Sequence, residues 1–477
     1  MTDQQPNEMP LPSTPHALEA IRKIVGTKGI VDGQDAEPFL HEWRGRWQGK
    51  TSLIVAPKTT EEVAAIVKIC AKNKMPITPQ GGNTGLVGGQ IPFNSEILLS
   101  LKRLNKVRAA SPLDNTLTVD AGVTLQAAQQ AAADIDRLFP LSIGSEGSCQ
   151  IGGVISTNAG GVNVLRYGNT RDLILGIEAV TPSGEIWHSL KRLRKDNTGY
   201  DLKQLFIGGE GTLGVVTGAV LKLFPRPKEI ITAFVGVPNT DAAIALLSHA
   251  QKATGGLASS VELISHIGID LVLKNIPDTR TPLAGKHPWY VLMEFSAGSS
   301  HPLHETVEQL LTEAIELNFA ADATIADSEA KAQHLWHLRH SMSEAINHEG
   351  TGIRHDVSVP TADIPAFLLK ADAAVAKAAP GARVVSFGHI GDGNIHYDIV
   401  PAAGASDEAL NQLRGPIEEA VYDIIDQFNG SISAEHGIGH YKKDPMAKRK
   451  STVELAMMRA VKQALDPDGI MNPGKML

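Results

Sequence analysis

Residues 79–89 read PQGGNTGLVGG, and five of these eleven positions are glycine. A strand–helix–strand pattern leads into them. Residues 51–56 (TSLIVA) form the first predicted strand, residues 60–74 carry apolar side chains on one helical face, and Ile77 opens the second strand. Backbone this poor in side chains must turn tightly or approach another group closely. The stretch therefore predicts an α/β or α+β domain with a glycine-rich loop directly after a strand.

Two further glycine clusters follow along the chain. Eight glycines lie between Gly144 and Gly176, and a third cluster spans residues 208–214. Turns in a β-rich domain would explain any one of these clusters. Three clusters in one domain favour a large bound ligand that lies against bare backbone.

The third cluster contains GEGTLG (209–214), which formally matches the dinucleotide fingerprint G-x-G-x-x-G. That fingerprint functions only where a helix follows the glycines, because the helix N-terminus faces the pyrophosphate. Here a β-branched run, residues 215–224, follows and predicts a strand. The context therefore argues against a Rossmann-type NAD site.

Composition limits the class of protein. A chain of 477 residues exceeds one ordinary core, which stops growing near ~250–300 residues, so at least two domains are expected. The net charge of −8 is a poor match for nucleic acid. No apolar run reaches the ~18 residues of a membrane helix, and the polar, Pro-rich start lacks the features of a signal peptide. Cys70 and Cys149 fit no disulfide framework. We expect a cytoplasmic protein.

A histidine-rich constellation lies near the C-terminus. HIGDGNIH (389–396) stands between two predicted strands, residues 384–387 and 395–400, and GDGN is typical of a hairpin turn. Closing this turn brings His389 and His396 together. Glu435 and His436 follow after a predicted helix over residues 416–428. Two imidazoles and a carboxylate with one vacant position are typical of a catalytic site for Zn²⁺ or a similar ion, which leaves His436 free as a base.

Seven segments, taken in order, resemble those of a known family. The chain is similar to the FAD-dependent D-2-hydroxy acid dehydrogenases of the vanillyl-alcohol oxidase superfamily, and most of all to the D-2-hydroxyglutarate dehydrogenases among them. The resemblance covers about residues 43–477. It rests on PQGGNTGLVGG (79–89), IGGVISTNAGG (151–161), RYGNTRDLILGIEAV (166–180), FIGGEGTLGVVT (206–217), GHIGDGNIHY (388–397), SAEHGIG (433–439) and NPGK (472–475).

The resemblance implies an α+β fold with a two-subdomain FAD-binding domain and an α+β substrate (cap) domain. The implied divisions are an N-terminal helical segment (1–47), the FAD-binding domain (48–226), the cap domain with the metal site (227–450), and a C-terminal segment that returns to the FAD domain (451–477). FAD would bind noncovalently. The residues implied to bind it are Pro79, Gly81, Gly82, Asn83, Thr84, Gly85, Leu86, Ser145, Gly152, Gly153, Thr157, Asn158, Gly161, Gly209, Gly211, Thr212 and Asn472.

The resemblance also assigns roles to the second half of the chain. Residues matching His389, His396 and Glu435 would hold a divalent metal, with zinc the first choice, and His436 would be the base. Arg339, Ser343, Arg354 and Asp398 would bind the substrate. Two of these positions depart from the family pattern, because relatives carry Lys where this chain has Arg354 and Asn where it has Asp398.

The function implied is FAD- and metal-dependent oxidation of a D-2-hydroxy acid, with D-2-hydroxyglutarate the first choice, by hydride transfer to flavin N5. The alternatives are a D-lactate or glycolate dehydrogenase of the same family, a His/Glu-metal hydrolase, and a non-catalytic ligand-binding protein. A soluble electron acceptor such as an electron-transfer flavoprotein is the expected redox partner. No nucleic acid and no integral membrane segment are expected, and a homodimer is a guess from the frequency of dimers.

Overall fold

The computed structural model describes residues 15–298 and 302–477. Its first half holds two sheets, one of four strands with a parallel centre and one of five antiparallel strands. In spatial order the four strands are Ile30–Val31, Thr51–Val55, Ser95–Ser100 and Ile77–Gln80. The five are Val107–Ser111, Thr116–Asp120, Val215–Lys222, Ile174–Val180 and Ile186–Ser189, and a short ribbon pairs Arg137–Leu138 with Phe224–Pro225.

Eight α-helices accompany these sheets within the part of the chain that the structure describes. They are Pro15–Val25, Glu37–Leu40, Thr60–Asn73, Leu125–Ala133, Ile151–Thr157, Val164–Tyr167, Thr170–Leu173 and Lys203–Phe206, with 3-10 turns at Thr27–Gly29 and Gly33–Ala36.

The helix Thr60–Asn73 shows why the predicted elements form. The Thr59 hydroxyl accepts a hydrogen bond from the Glu62 amide, which caps the helix, and Lys74 ends it in a left-handed conformation. Its apolar face, including Val63, Ile66 and Cys70, is fully buried. The predicted strand–helix–strand pattern is confirmed, and so is the strand that follows GEGTLG, since Val215–Lys222 continues into the five-stranded sheet.

The second half of the chain builds one seven-stranded antiparallel sheet. In spatial order its strands are Asp322–Ile325, Glu229–Val237, Trp289–Ala297, Ala258–Ser265, Arg383–His389, Asn394–Val400 and Ile353–Ser358. The associated helices are Thr240–Thr254, His266–Asn275, Leu303–Glu316, Glu329–His340, Met342–Asn347, Ile364–Ala378, Asp407–Gln412, Arg414–Gln427, Lys443–Arg449 and Thr452–Leu465, with a 3-10 turn at Thr361–Asp363. Helices combined with sheets that are mostly antiparallel confirm the α+β class.

The C-terminal tail rejoins the first half of the chain. Ile470 and Met471 are buried in the same apolar core as Val63 and Ile77. The Ile77 amide donates to the Ile470 carbonyl, and the Asn472 amide donates to the Ile77 carbonyl, each over 2.8 Å. The tail thus adds to the edge of the four-stranded sheet.

The N-terminal segment is only partly helical. Its residues 1–14 lie outside the described residues. From Pro15 the chain forms the helix Pro15–Val25, two 3-10 turns and the short helix Glu37–Leu40, together with a short strand, Ile30–Val31, that pairs with Thr51–Val55. The predicted helical segment therefore also contains a strand. Among the described helices, none is both long and apolar enough to span a bilayer.

Candidate active site

A cavity of about 990 Å³ lies between the glycine-rich loops of the first half and the seven-stranded sheet of the second. Most of the residues implied to bind the cofactor line it. These are Pro79, Gly81, Gly82, Asn83, Thr84, Gly85, Leu86, Ser145, Gly152, Gly153, Thr157 and Gly211. From the other side Ser343, Arg354, His396, Asp398, Glu435 and His436 line the same cavity.

Bare backbone is required in the glycine loops for two different reasons. A Cβ at Gly82 would lie 1.9 Å from the Ser148 carbonyl oxygen, so two loops touch there. Gly153 lies in the helix Ile151–Thr157, and outside that helix a Cβ there would meet no atom of residues 15–298 and 302–477 within 4 Å, so any side chain would project into the cavity. Several buried amide oxygens of cavity-lining residues, such as Gln150 Oε1 and Asn83 Oδ1, have no hydrogen-bond partner within the part of the chain that the structure describes. The wall therefore fits a large polar ligand that approaches the main chain closely.

Five residues implied to bind the cofactor stand behind this wall. They support the loops rather than line the cavity. The Asn158 Oδ1 accepts the Arg171 amide at 2.9 Å, and Thr212 Oγ1 donates to the Gly209 carbonyl at 2.7 Å. The Gly161 amide donates to Glu435 Oε1 at 2.7 Å. Asn472 Nδ2 donates hydrogen bonds to the carbonyls of Gly89 and Glu210, at 2.8 Å each, and so links these two segments.

The hairpin between Arg383–His389 and Asn394–Val400 brings two histidines together, as predicted. The ring centroids of His389 and His396 are 5.6 Å apart. Their Nε2 atoms lie 3.5 Å and 4.0 Å from the two carboxylate oxygens of Glu435, and all three residues offer ligand atoms within 4.8 Å of one another. This donor set suits Zn²⁺ or a similar divalent cation.

A buried carboxylate that the sequence did not indicate holds the first of these histidines. His389 Nδ1 donates to Glu262 Oε1 at 2.7 Å, which directs Nε2 toward Glu435. Burial lowers the pKa of His389, but the Glu262 and Glu435 carboxylates outweigh it and raise the pKa to about 9. The other oxygen of Glu262 accepts Arg339 Nε at 2.7 Å.

Asp356 holds the residue implied to be the base. Its Oδ2 accepts the backbone amides of Glu435 and His436, at 3.0 and 2.8 Å, and lies 3.4 Å from His436 Nδ1. Its Oδ1 accepts Asn394 Nδ2 at 3.0 Å. Burial lowers the pKa of His436 to about 4 in spite of this carboxylate, so the imidazole is neutral at neutral pH. Asp356 also forms a second group able to bind a metal, with His396 and His436.

The residues implied to bind the substrate separate into two environments. Arg354 and Asp398 are cross-strand neighbours whose guanidinium and carboxylate are 3.7 Å apart, and Ser343 lines the cavity close to them. Burial raises the pKa of Asp398 to about 6, although Arg354 and Arg44 oppose it. Arg339 does not line the cavity, because it is buried against Glu262 and its guanidinium lies over the Phe387 ring, 4.8 Å from the centroid.

Several lining residues were missed by sequence reasoning. Arg44 and Arg46 reach the cavity from the segment before the first glycine loop, and Tyr441 and Lys442 follow the EHGIG motif. The paired arginines in WRGRW (43–47) are the signal that could have been noticed.

Comparison with known proteins agrees with this architecture. The FAD binding domain family matches residues 51–189, and the FAD linked oxidase C-terminal domain family matches residues 226–476. The chain is 37% identical to the D-2-hydroxyglutarate–pyruvate transhydrogenase of Saccharomyces cerevisiae, over 96% of this chain and 94% of that protein. It is also 37% identical to the D-2-hydroxyglutarate dehydrogenase of Xanthomonas citri pv. viticola, over 97% of each chain.

Solved structures with the same fold include p-cresol methylhydroxylase with substrate bound. It is 17% identical, the TM-score is 0.74, and the match covers 97% of this chain and 96% of that one. The 4-ethylphenol oxidase from Gulosibacter chungangensis has a TM-score of 0.72 at 18% identity, with 97% and 96% coverage. The vanillyl-alcohol oxidase type of fold is therefore confirmed. With both family matches and these relatives, the chain belongs to the FAD-linked oxidases and is an FAD-dependent oxidoreductase similar to D-2-hydroxyglutarate dehydrogenases.

Proposed function

We propose that this protein oxidises a D-2-hydroxy acid to the corresponding 2-oxo acid, and that D-2-hydroxyglutarate is its substrate. The observation that carries the proposal is the position of His436. It lies beside the His389–His396–Glu435 cluster, on the same cavity that the glycine-rich FAD domain lines. The names of the two relatives described above support this choice of substrate.

The residues present fit both groups that this reaction needs. His389, His396 and Glu435 would hold the divalent cation, zinc by our choice, and Glu262 fixes the His389 ring as outer-shell carboxylates do in metal sites. The loop around Gly82 and the start of the helix Ile151–Thr157, at Gly153, would hold FAD noncovalently. When bound, the cation would polarise the substrate hydroxyl and FAD would accept a hydride from C2.

The chain itself supplies the base and the anion-binding groups. Neutral His436 would take the proton of the C2 hydroxyl, and a general base of this kind contributes ~10²–10⁴-fold to the rate. Asp356 is a positioning residue, since it accepts the His436 amide and lies beside its Nδ1. Arg354 and Ser343 would contact a carboxylate of the substrate.

The electron acceptor is a separate part of the proposal. We favour a soluble carrier such as an electron-transfer flavoprotein. One relative is named for transfer to pyruvate, so pyruvate is a second candidate oxidant for this chain. Membership of the FAD-linked oxidases argues against the alternative of a His/Glu-metal hydrolase.

Anaerobic flavin reduction tests the proposal. The purified holoprotein is mixed with D-2-hydroxyglutarate, its L-enantiomer, D-lactate or glycolate, and flavin absorbance is followed. We expect D-2-hydroxyglutarate to bleach the flavin fastest and the L-enantiomer to leave it oxidised. His436→Ala should retain FAD and lose at least ~100-fold in reduction rate. Full-rate reduction in that variant would exclude His436 as the base, and absence of bleaching by any D-2-hydroxy acid would contradict the proposed function.

A further inference from the structure

A short turn before the FAD domain projects two arginines into the cavity. It runs from His41 to Gln48, which form an isolated antiparallel bridge, and the Glu42 amide donates to the Trp47 carbonyl at 3.1 Å. The Glu42 side chain is buried, and its Oε2 accepts the amides of Arg44 and Arg46 at 3.0 and 3.1 Å. The carboxylate of Glu42 therefore holds the backbone of the turn, and both arginine side chains line the cavity.

The turn is fixed to the first glycine loop. Asn83 Nδ2 donates to the carbonyls of Pro38 and His41, both at 2.8 Å. Trp47 packs by its edge against the Tyr441 ring, with the centroids 5.8 Å apart. Contacts on both sides thus set the position of the turn relative to the cavity, which makes its arginines part of a built wall.

Arg354 alone leaves no net positive charge at this end of the cavity. Arg354 lies 3.7 Å from Asp398, and their side chains are only 9% and 4% exposed, so the pair contributes no net charge. Arg44 lines the same cavity. Across residues 15–298 and 302–477, no carboxylate oxygen lies within 4.0 Å of the Arg44 guanidinium. Burial and the neighbouring Arg354 and Arg46 lower the pKa of Arg44 to about 10, although the Asp398 and Glu42 carboxylates oppose this shift.

The two arginines of the turn differ in their surroundings. The Arg46 guanidinium lies over the Tyr441 and Trp47 rings, 5.4 and 5.9 Å from their centroids, and so has aromatic partners on two sides. Among the described residues, Arg44 stacks on a single ring, that of Trp43, which is itself 58% exposed. Arg44 is therefore the group best placed to bind an anion beside the Arg354–Asp398 pair.

We propose that Arg44 is a specificity-determining residue, and that it binds, together with Arg354, the second carboxylate of a dicarboxylic 2-hydroxy acid. The inference rests on the proposed function as far as the reaction is concerned. Binding of a dicarboxylate at Arg44 can be tested without it. Arg44 supplies the positive charge that Asp398 removes from Arg354, and a planar guanidinium can hold a carboxylate by two parallel hydrogen bonds.

The test compares Arg44→Gln and Asp398→Asn with the wild type and with Arg192→Gln. Arg192 is a matched control because it is half exposed and paired with Asp114, away from the cavity lining. Binding of 2-oxoglutarate to the oxidised holoprotein is measured by calorimetry, and kcat/KM is measured for D-2-hydroxyglutarate and D-lactate. FAD content is read from the ratio of flavin to protein absorbance.

We expect Arg44→Gln to weaken 2-oxoglutarate binding about 10- to 100-fold, as loss of a charged hydrogen bond does, and to lower the D-2-hydroxyglutarate/D-lactate ratio of kcat/KM at least tenfold. Asp398→Asn should strengthen 2-oxoglutarate binding, which keeps the proposal testable if Arg44→Gln does not fold. Arg192→Gln should change neither quantity.

Three results would overturn the proposal. The first is an unchanged D-2-hydroxyglutarate/D-lactate ratio of kcat/KM in Arg44→Gln, and the second is a wild-type protein that does not bind 2-oxoglutarate. The third is loss of FAD from Arg44→Gln, which would place Arg44 on a cofactor phosphate. Failure of the proposed function looks different. In that case no D-2-hydroxy acid bleaches the flavin, while calorimetry with the dicarboxylate still reports on the anion site.

Discussion

Glu435 Oε1 accepts a hydrogen bond from the backbone amide of Gly161 at 2.7 Å, across 274 residues of sequence. Gly161 belongs to the second glycine cluster, whereas Glu435 lies in the loop after the helix Arg414–Gln427. Glu210 makes a second link of the same kind, because its carboxylate accepts the amides of Ile438 and Gly439 at 2.7 and 2.6 Å. The loop that carries the candidate ligand and base is therefore held by the FAD-binding half.

Replacing Glu435 tests the proposed metal site. In Glu435→Gln the amide oxygen can still accept from Gly161, but the negative charge that a divalent cation needs is lost. We expect metal content to fall from about one ion per chain to below about a tenth, because loss of a direct ligand should weaken metal affinity by more than the ~10–100-fold that an outer-shell change costs. Elemental analysis of the purified protein measures this.

FAD content should stay at the wild-type level in that variant, because the Gly161 contact is kept. Glu185→Gln, at an exposed position, is the control. Equal metal content in Glu435→Gln and the control would show that the cluster around His389 binds no metal through Glu435.

Filling the space beside Gly153 tests the cofactor wall. Outside its own helix, a Cβ there meets no atom of the described residues within 4 Å, so Gly153→Leu should fold while its side chain occupies the cavity. We expect the variant to be purified without flavin absorbance and to show a thermal unfolding temperature close to that of the wild-type apoprotein. Gly144→Leu is a comparison at a second open position of the same lining. Normal flavin content in Gly153→Leu would place FAD elsewhere.

The sequence predicted most of the local structure around the site but little of its support. The turn GDGN made the proximity of His389 and His396 predictable, since a hairpin is encoded by neighbouring residues. Glu262 could not be found in this way. It lies within a strand, and its contact with His389 depends on the pairing of two strands 127 residues apart.

Arg339 shows the same limit of prediction from sequence, here for a residue that was assigned a role. The resemblance placed it on the substrate, but the structure buries it against Glu262, a partner that only the tertiary fold provides. Asp356 is another polar residue inside a strand, and its alignment with His396 comes from the sheet register. Local patterns therefore predicted the residues that form motifs, whereas the residues that orient them required long-range strand pairing.

The stability of the folded protein at acidic pH should depend on Glu178. Its carboxylate is buried and accepts hydrogen bonds from Arg108, Thr60 and His188 at 2.7–2.8 Å. Burial would raise the pKa of Glu178, but these partners, Arg108 foremost, lower it from 4.5 to about 2. The folded-state pKa is thus below the unfolded one, so the stabilisation is present above pH ~4.5 and is lost as the pH falls toward ~2.

We expect Glu178→Gln to lower the free energy of unfolding of the FAD-binding half by up to roughly 3 kcal/mol at pH 7, at ~1.4 kcal/mol per pKa unit. The gap between variant and wild type should close as the pH is lowered. Thermal unfolding midpoints at pH 7, 5 and 3.5 check this, with Glu185→Gln as the exposed control. A gap that is independent of pH would assign the effect to packing.

Asp356→Asn separates positioning of the base from metal binding. The side-chain oxygen of Asn can keep one of the amide contacts to Glu435 and His436, but the negative charge beside His436 Nδ1 is removed. We expect kcat for flavin reduction to fall about 10- to 1,000-fold with a smaller change in KM, because the imidazole loses the group that orients it. The deuterium isotope effect with C2-deuterated substrate and the pH profile of kcat should both change, whereas metal content should stay near that of the wild type. Loss of the metal together with activity would instead identify Asp356 as a ligand, in the second group it forms with His396 and His436.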